Sequence, residues 1–129
     1  MMPRVLIVDD QANVRAAIAV ALQANGYEAV AVEDAVSALR EFGASRFDLA
    51  IIDLYMPNVD GVKVIKALRE RAPRLAIIAI SGAFLNGSEH TALDFLSKLP
   101  GLSEVVCLQK PFRPAALMQA VQSALAVAA

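Results

Sequence analysis

The stretch Ala50-Ile51-Ile52-Asp53-Leu54-Tyr55-Met56-Pro57 decides the fold, because an apolar strand ends there in a single carboxylate. Residues 49–52 form a short apolar run, which is typical of a strand buried on both faces of a sheet. Asp53 is costly to bury at the end of such a strand unless a cation compensates its charge. We therefore expect the ends of other strands to bring compensating groups beside Asp53.

The rest of the chain repeats the order of a short apolar strand followed by an amphipathic helix. Strands are predicted over residues 4–8, 27–32, 49–52, 76–80 and 104–109, with helices starting near residues 12, 35, 61, 89 and 114. In the second helix, which Asp34 should cap and Gly43 should end, we expect Val36 and Leu39 to face the core. Strands that alternate with helices predict an α/β fold whose parallel sheet is covered on both faces.

Length and composition exclude several classes of protein. The 129 residues, 57% hydrophobic and 19% charged, predict one globular domain over residues 1–129. The net charge of −1 gives no electrostatic case for nucleic-acid binding, and no apolar run approaches the ~18 residues of a membrane span. We read no signal peptide, and a single cysteine fits a reducing compartment, so we expect a cytoplasmic location.

Polar groups stand at the ends of four predicted strands. Asp9 and Asp10 follow the first strand, Asp53 the third, Ser81 the fourth and Lys110 the fifth. Each alone has an ordinary explanation, as a helix cap, a turn residue or a surface lysine. The carboxyl ends of parallel strands meet at one edge of a doubly wound sheet, so together these groups predict a site.

The residue types at this edge suit magnesium and phosphate chemistry. Asp9, Asp10 and Asp53 offer the hard oxygen ligands that Mg²⁺ prefers. Clustered carboxylates disfavour one another's ionisation, which Mg²⁺ and Lys110 would restore. An ionised Asp53 could attack phosphorus, while Mg²⁺, Lys110 and Ser81 would stabilise charge on the phosphoryl oxygens.

Four motifs make the chain resemble a response-regulator receiver domain, the CheY-like phosphoacceptor of two-component signalling. They are Val8-Asp9-Asp10, then Ile52-Asp53-Leu54-Tyr55-Met56-Pro57-Asn58-Val59-Asp60-Gly61, then Ile80-Ser81-Gly82, and Lys110-Pro111-Phe112. The resemblance implies a flavodoxin-like (βα)5 fold with a five-stranded parallel sheet of order 2-1-3-4-5. It also implies a signalling switch rather than an enzyme, with a histidine kinase or histidine phosphotransfer protein as phosphodonor and a downstream protein as reader.

The same resemblance assigns a role to each site residue. Asp53 would be the phosphoacceptor, and Lys110 and Ser81 would contact the phosphoryl group. Asp10 would bind Mg²⁺ directly and Asp9 partly through water, with Asp53 and the Tyr55 backbone carbonyl as further ligands. The Lys110–Pro111 peptide bond would be cis. Neither nucleic acid nor membrane is implied as a partner of this domain.

The sequence departs from the family pattern in three places. Cys107 stands where the family usually has an aromatic residue, and Tyr55 is bulkier than the residue many relatives carry. The segment between Ser81 and Lys110 is several residues longer than usual. We expect the change that follows phosphorylation to involve the loop at 83–88 within that segment.

Two other functions remain open. A haloacid-dehalogenase-type phosphatase also uses an aspartate nucleophile and Mg²⁺, but it needs D-x-D where this chain has Asp9-Asp10-Gln11. A receiver-like interaction module that no longer takes phosphate is disfavoured by the full set of acids and Lys110, although Cys107 leaves room for it.

Overall fold

The chain forms a five-stranded parallel sheet with helices on both faces. A computed structural model describes residues 2–56, 59–82 and 104–128. The sheet strands are β1 (Arg4–Val8), β2 (Glu28–Val32), β3 (Leu49–Asp53), β4 (Ala76–Ser81) and β5 (Val106–Gln109). The helices of the described residues are α1 (Ala12–Ala24), α2 (Ala35–Ala44), α3 (Gly61–Arg71) and α4 (Pro114–Ala128). Tyr55–Met56 and Val59–Asp60 form a separate antiparallel pair.

The strand order in the sheet is β2-β1-β3-β4-β5, with every neighbouring pair parallel. This confirms the predicted order 2-1-3-4-5 and the edge position of β2. The connections reverse direction between β1 and β3, and the crevice beyond their carboxyl ends is where sheets of this kind bind ligands. The predicted loop at 83–88 and the helix near residue 89 lie outside the described residues.

The core has two layers, one on each face of the sheet. Along β1, Leu6 and Val8 pack towards α2 and α3, whereas Val5 and Ile7 pack towards α1 and α4. Successive side chains of a strand point to opposite faces, so a strand covered on both sides must be apolar throughout. The first layer also buries Ala50, Ile52, Ile65, Leu68 and Ile77, and the second Ile18, Leu22, Ile51, Ile78, Leu117 and Val121.

The predicted details of α2 are partly wrong. Asp34 caps the helix as expected, since its carboxylate accepts a hydrogen bond from the Ser37 amide at 2.8 Å. Val36, however, is 66% exposed, and the side that meets the core carries Ala35, Ala38, Leu39 and Phe42. These four positions follow the i, i+3, i+4, i+7 spacing of one helix face, and Val36 lies off that stripe. The helix also continues through Gly43 to Ala44.

No helix in the three described ranges combines the length and apolar character needed to cross a lipid bilayer.

Candidate functional site

The predicted polar groups meet at the carboxyl edge of the sheet. Asp53 is the last residue of β3, while Asp9 follows β1 and Lys110 follows β5. Carboxylate oxygens of Asp9, Asp10 and Asp53 all lie within 4.8 Å of one another. The Lys110 Nζ atom lies 3.1 Å from Asp9 Oδ2 and 3.3 Å from Asp53 Oδ2. Parallel strands thus bring together an acidic cluster and its cation from three separate parts of the chain.

Asp9 is fully buried and held from several sides. Its Oδ1 atom accepts a hydrogen bond from the Gln11 amide at 2.9 Å, and its carbonyl accepts one from the Arg15 guanidinium at 2.8 Å. Its own amide donates to the Val32 carbonyl at 3.2 Å. The buried Oδ2 atom accepts no well-directed hydrogen bond from the described residues, although the Lys110 ammonium stands beside it. This oxygen therefore keeps lone pairs that a second cation could use.

The other two acids differ in exposure. Asp53 is 3% exposed, whereas Asp10 lies open to solvent. Three close carboxylates and one undersatisfied buried oxygen form a donor set that suits a hard divalent cation such as Mg²⁺. Tyr55 begins a two-residue strand and pairs there with Asp60. That its backbone carbonyl is a further metal ligand stays a prediction.

A backbone hydrogen bond and the ion pairs of its side chain both hold Lys110 in place. Its amide donates to the Ser81 carbonyl at 2.7 Å, and the Lys110–Pro111 peptide bond is cis, as expected. Burial lowers the pKa of the ammonium, but the contacts with Asp9 and Asp53 outweigh burial and the pKa is raised. The side chain is therefore a permanent positive charge at neutral pH.

Ser81 is the last residue of β4 and is 6% exposed. Asp53 lies opposite Ile80 in the β3–β4 register, so Ser81 comes one residue beyond the phosphoacceptor candidate. Its position at the site edge is as predicted, and contact of its hydroxyl with a phosphoryl group stays a prediction.

The side chain of Gln11 also belongs to the site, although it was not among the predicted groups. Its Oε1 atom accepts a hydrogen bond from Lys110 Nζ at 3.4 Å, which places a neutral amide at the rim of the acidic cluster. Gln11 occupies the N-cap position of α1, where Ser, Thr, Asp and Asn are the usual residues. A glutamine directly after an aspartate pair, at a position that favours shorter side chains, is the sequence signal that could have revealed it.

Cys107 is half-buried within β5, opposite Ala79 of β4. Burial raises the pKa of its thiol to about 11. A thiol is reactive mainly as its thiolate, so Cys107 has the properties of a packed strand residue rather than of a redox sensor.

Similarity to known proteins identifies the family of this chain. The family model for the response regulator receiver domain matches residues 5–122. The transcriptional regulatory protein PrrA of Mycobacterium bovis is 34% identical over 113 residues, which cover 84% of this chain and 48% of that protein. The response regulator MprA of Mycobacterium ulcerans is 32% identical over 111 residues, covering 82% of this chain and 48% of MprA. This chain thus spans about half the length of these curated relatives.

A solved structure extends the likeness to the whole fold. The response regulator receiver protein from Sinorhizobium medicae superimposes with a TM-score of 0.82 at 27% identity, covering 99% of this chain and 98% of that one. These similarities give no support to a haloacid-dehalogenase-type phosphatase or to an interaction module that has lost phosphate chemistry. The chain belongs to the response regulator receiver domain family of two-component systems.

Proposed function

We propose that the Asp53 carboxylate accepts a phosphoryl group from a phosphohistidine of a histidine kinase or histidine phosphotransfer protein. The observation that carries this proposal is the nearly buried Asp53 carboxylate, paired with the Lys110 ammonium at 3.3 Å. A cation beside a carboxylate favours its ionised form, which is the nucleophilic one. The domain acts as a switch, and its own chemistry is limited to taking up and losing this phosphoryl group.

Asp53 supplies the attacking oxygen. A new bond forms between that oxygen and phosphorus, while the phosphorus–nitrogen bond of the donor breaks and leaves its electron pair on the imidazole. Such a transfer passes through a state with charge spread over the phosphoryl oxygens, so it depends on positioning and on nearby positive charge. Lys110 provides a fixed positive charge at the same edge of the sheet. Ser81, at the end of β4, offers a hydroxyl donor.

Mg²⁺ fits the acidic part of the site. Asp9, Asp10 and Asp53 would hold it, with the Tyr55 carbonyl as a further ligand, and the undersatisfied Asp9 Oδ2 supports this assignment. When bound, Mg²⁺ supplies positive charge beside the phosphoryl oxygens.

The partners are proposed from the family. Histidine kinases phosphorylate receiver domains, and we place this domain with them in the cytoplasm. The protein PrrA is about twice as long as the region it shares with this chain and is a transcriptional regulator by name. A downstream protein or further segment would accordingly read the phosphorylated state, and the domain itself would contact neither nucleic acid nor membrane.

Acetyl phosphate labelling tests the phosphoacceptor. With Mg²⁺ present, intact-mass spectrometry should show one added phosphoryl group on the wild-type protein and none on Asp53→Asn, because an amide is a poor nucleophile. Asp48→Asn is the matched control, since Asp48 is exposed and its carboxylate accepts a hydrogen bond from the Arg4 amide rather than belonging to the acidic cluster. Undiminished labelling of Asp53→Asn would overturn the assignment.

A further inference from the structure

Gln11 places its side-chain carbonyl against the same ammonium that pairs with Asp53. Lys110 Nζ donates to Gln11 Oε1 at 3.4 Å and lies 3.1 Å from Asp9 Oδ2 and 3.3 Å from Asp53 Oδ2. The ammonium thus donates hydrogen bonds to Gln11 and Asp53 and forms an ion pair with Asp9. Gln11 is neutral and exposed, whereas the two carboxylates are buried.

The Gln11 side chain makes no capping hydrogen bond to the helix that follows it. Its backbone does that work: its amide donates to Asp9 Oδ1 at 2.9 Å, and its carbonyl accepts from the Val14 and Arg15 amides at 3.1 and 3.0 Å. Any residue other than proline can supply these backbone atoms. A change of the Gln11 side chain therefore reports on its contact with Lys110.

The three contacts of Lys110 differ in strength, and therefore in the free energy needed to replace each one by a contact with a phosphoryl group. Hydrogen bonds between an ammonium and a carboxylate are charge-assisted and stronger than those to a neutral amide. The amide contact is also the longest of the three and the one open to water, which can replace it. When a phosphoryl group arrives on Asp53 and needs a donor from Lys110, the contact with Gln11 is the one released at least cost.

We propose that Gln11 is a positioning residue that holds Lys110 in the unphosphorylated state and gives up this contact when Asp53 is phosphorylated. The inference rests on the proposed function of Asp53. It makes Gln11 a competitor of the phosphoryl group for one donor. Gln11 then stabilises the starting state alone, so it slows uptake of the phosphoryl group without affecting its loss.

Two substitutions of similar length separate this role from a general disturbance of the site. Gln11→Met removes the acceptor and should speed uptake from acetyl phosphate by ~2- to 10-fold, the factor for one net hydrogen bond. Its rate of phosphoryl loss should equal that of the wild type, because the contact is already broken in the phosphorylated state. Gln11→Glu puts a carboxylate at the same reach, which binds Lys110 more tightly and repels the incoming group, so uptake should fall below wild type.

The matched control is Gln23→Met, the same chemical change at an exposed position near the other end of α1, which should alter neither rate. Uptake is measured by intact mass at saturating Mg²⁺, so that changes in metal affinity do not enter. Thermal unfolding of Gln11→Met should show at most the small loss of stability expected for this one exposed hydrogen bond, since no cap is removed.

Unchanged or slower uptake by Gln11→Met would overturn the inference, as would equal changes in uptake and loss. Failure of the proposed function looks different: the wild-type protein would then take up no phosphoryl group on Asp53. Normal labelling of Asp53 that is indifferent to Gln11 would overturn this inference alone.

Discussion

Gly61 lies directly against the backbone carbonyl of Asp53. A β-carbon at position 61 would stand 2.5 Å from the Asp53 carbonyl oxygen and 2.6 Å from the Leu54 α-carbon. Both are backbone atoms and cannot rotate away as the end of a side chain could. Because glycine lacks the β-carbon, the first residue of α3 can pack directly against the backbone of Asp53 and Leu54. The glycine of the Asp60-Gly61 motif is thus a requirement of close packing beside the site.

Gly61→Ala should destabilise the domain by about 1–3 kcal/mol, the usual cost of overpacking, and should slow phosphoryl uptake because the Asp53 backbone must shift. Urea unfolding and acetyl phosphate labelling measure the two effects. Gly43→Ala is the control: it lies inside α2, and the nearest atom to its added β-carbon is the end of the Arg71 side chain at 3.8 Å. Alanine there should be neutral or stabilising by up to about 1 kcal/mol. Equal stability of the two variants would contradict the close packing at Gly61.

Lys110 should make stability depend on pH in the alkaline range. Burial lowers its pKa, but Asp9 and Asp53 raise it by more, so the folded protein binds this proton more tightly than the unfolded chain. The stabilisation is complete below the unfolded pKa of about 10.4 and is lost as pH rises through the higher folded pKa. In EDTA, the free energy of unfolding should therefore fall more steeply above about pH 10 for the wild type than for Lys110→Met.

At pH 7 the same variant should be less stable than the wild type, since Lys110→Met leaves two buried carboxylates without their cation. Other titrating groups are common to both proteins, so the difference between their pH profiles isolates Lys110. Parallel profiles above pH 10 would show that the ion pairs do not persist in solution.

Asp10 should control the effect of Mg²⁺ on stability. Asp10 is exposed, so Asp10→Asn should cost the metal-free protein little. A bound ligand stabilises the folded state by about 2.7 kcal/mol at a hundred times its Kd, and the variant should gain much less than the wild type at equal Mg²⁺. Thermal melts with and without Mg²⁺ measure this gain, with the exposed Asp48→Asn as control. An undiminished gain in Asp10→Asn would remove this residue from the metal site.

Cys107 should react slowly with thiol reagents in the folded protein. Burial raises its pKa from the ordinary value of 9.0 to about 11. At pH 8 the thiolate fraction, and with it the rate of reaction with an aromatic disulfide, should be roughly a hundredfold below that of the urea-unfolded chain. Comparable rates in the folded and unfolded states would contradict burial of this side chain.

Local sequence patterns were enough to predict most of the architecture. The strands that carry the site were predicted within a residue or two, because apolar runs bounded by polar turn residues are set by near neighbours in the chain. It was harder to predict which side chains of a helix face the core. In α2 the wrong residue, Val36, was expected to be buried, because a short helix of mixed composition offers more than one apolar stripe and only the packing partner selects between them.

The sequence by itself determined which chemical groups stand at the strand ends: two adjacent acids, a third acid, a hydroxyl and a lysine. Only the tertiary structure decided which of these groups are buried and which of them contact one another. Of two adjacent acids, Asp9 is buried against Lys110 while Asp10 faces solvent, and Gln11 supplies a third oxygen to the same ammonium. Such differences depend on strand register and on contacts between distant segments, and a periodicity of two or 3.6 residues carries no information about either.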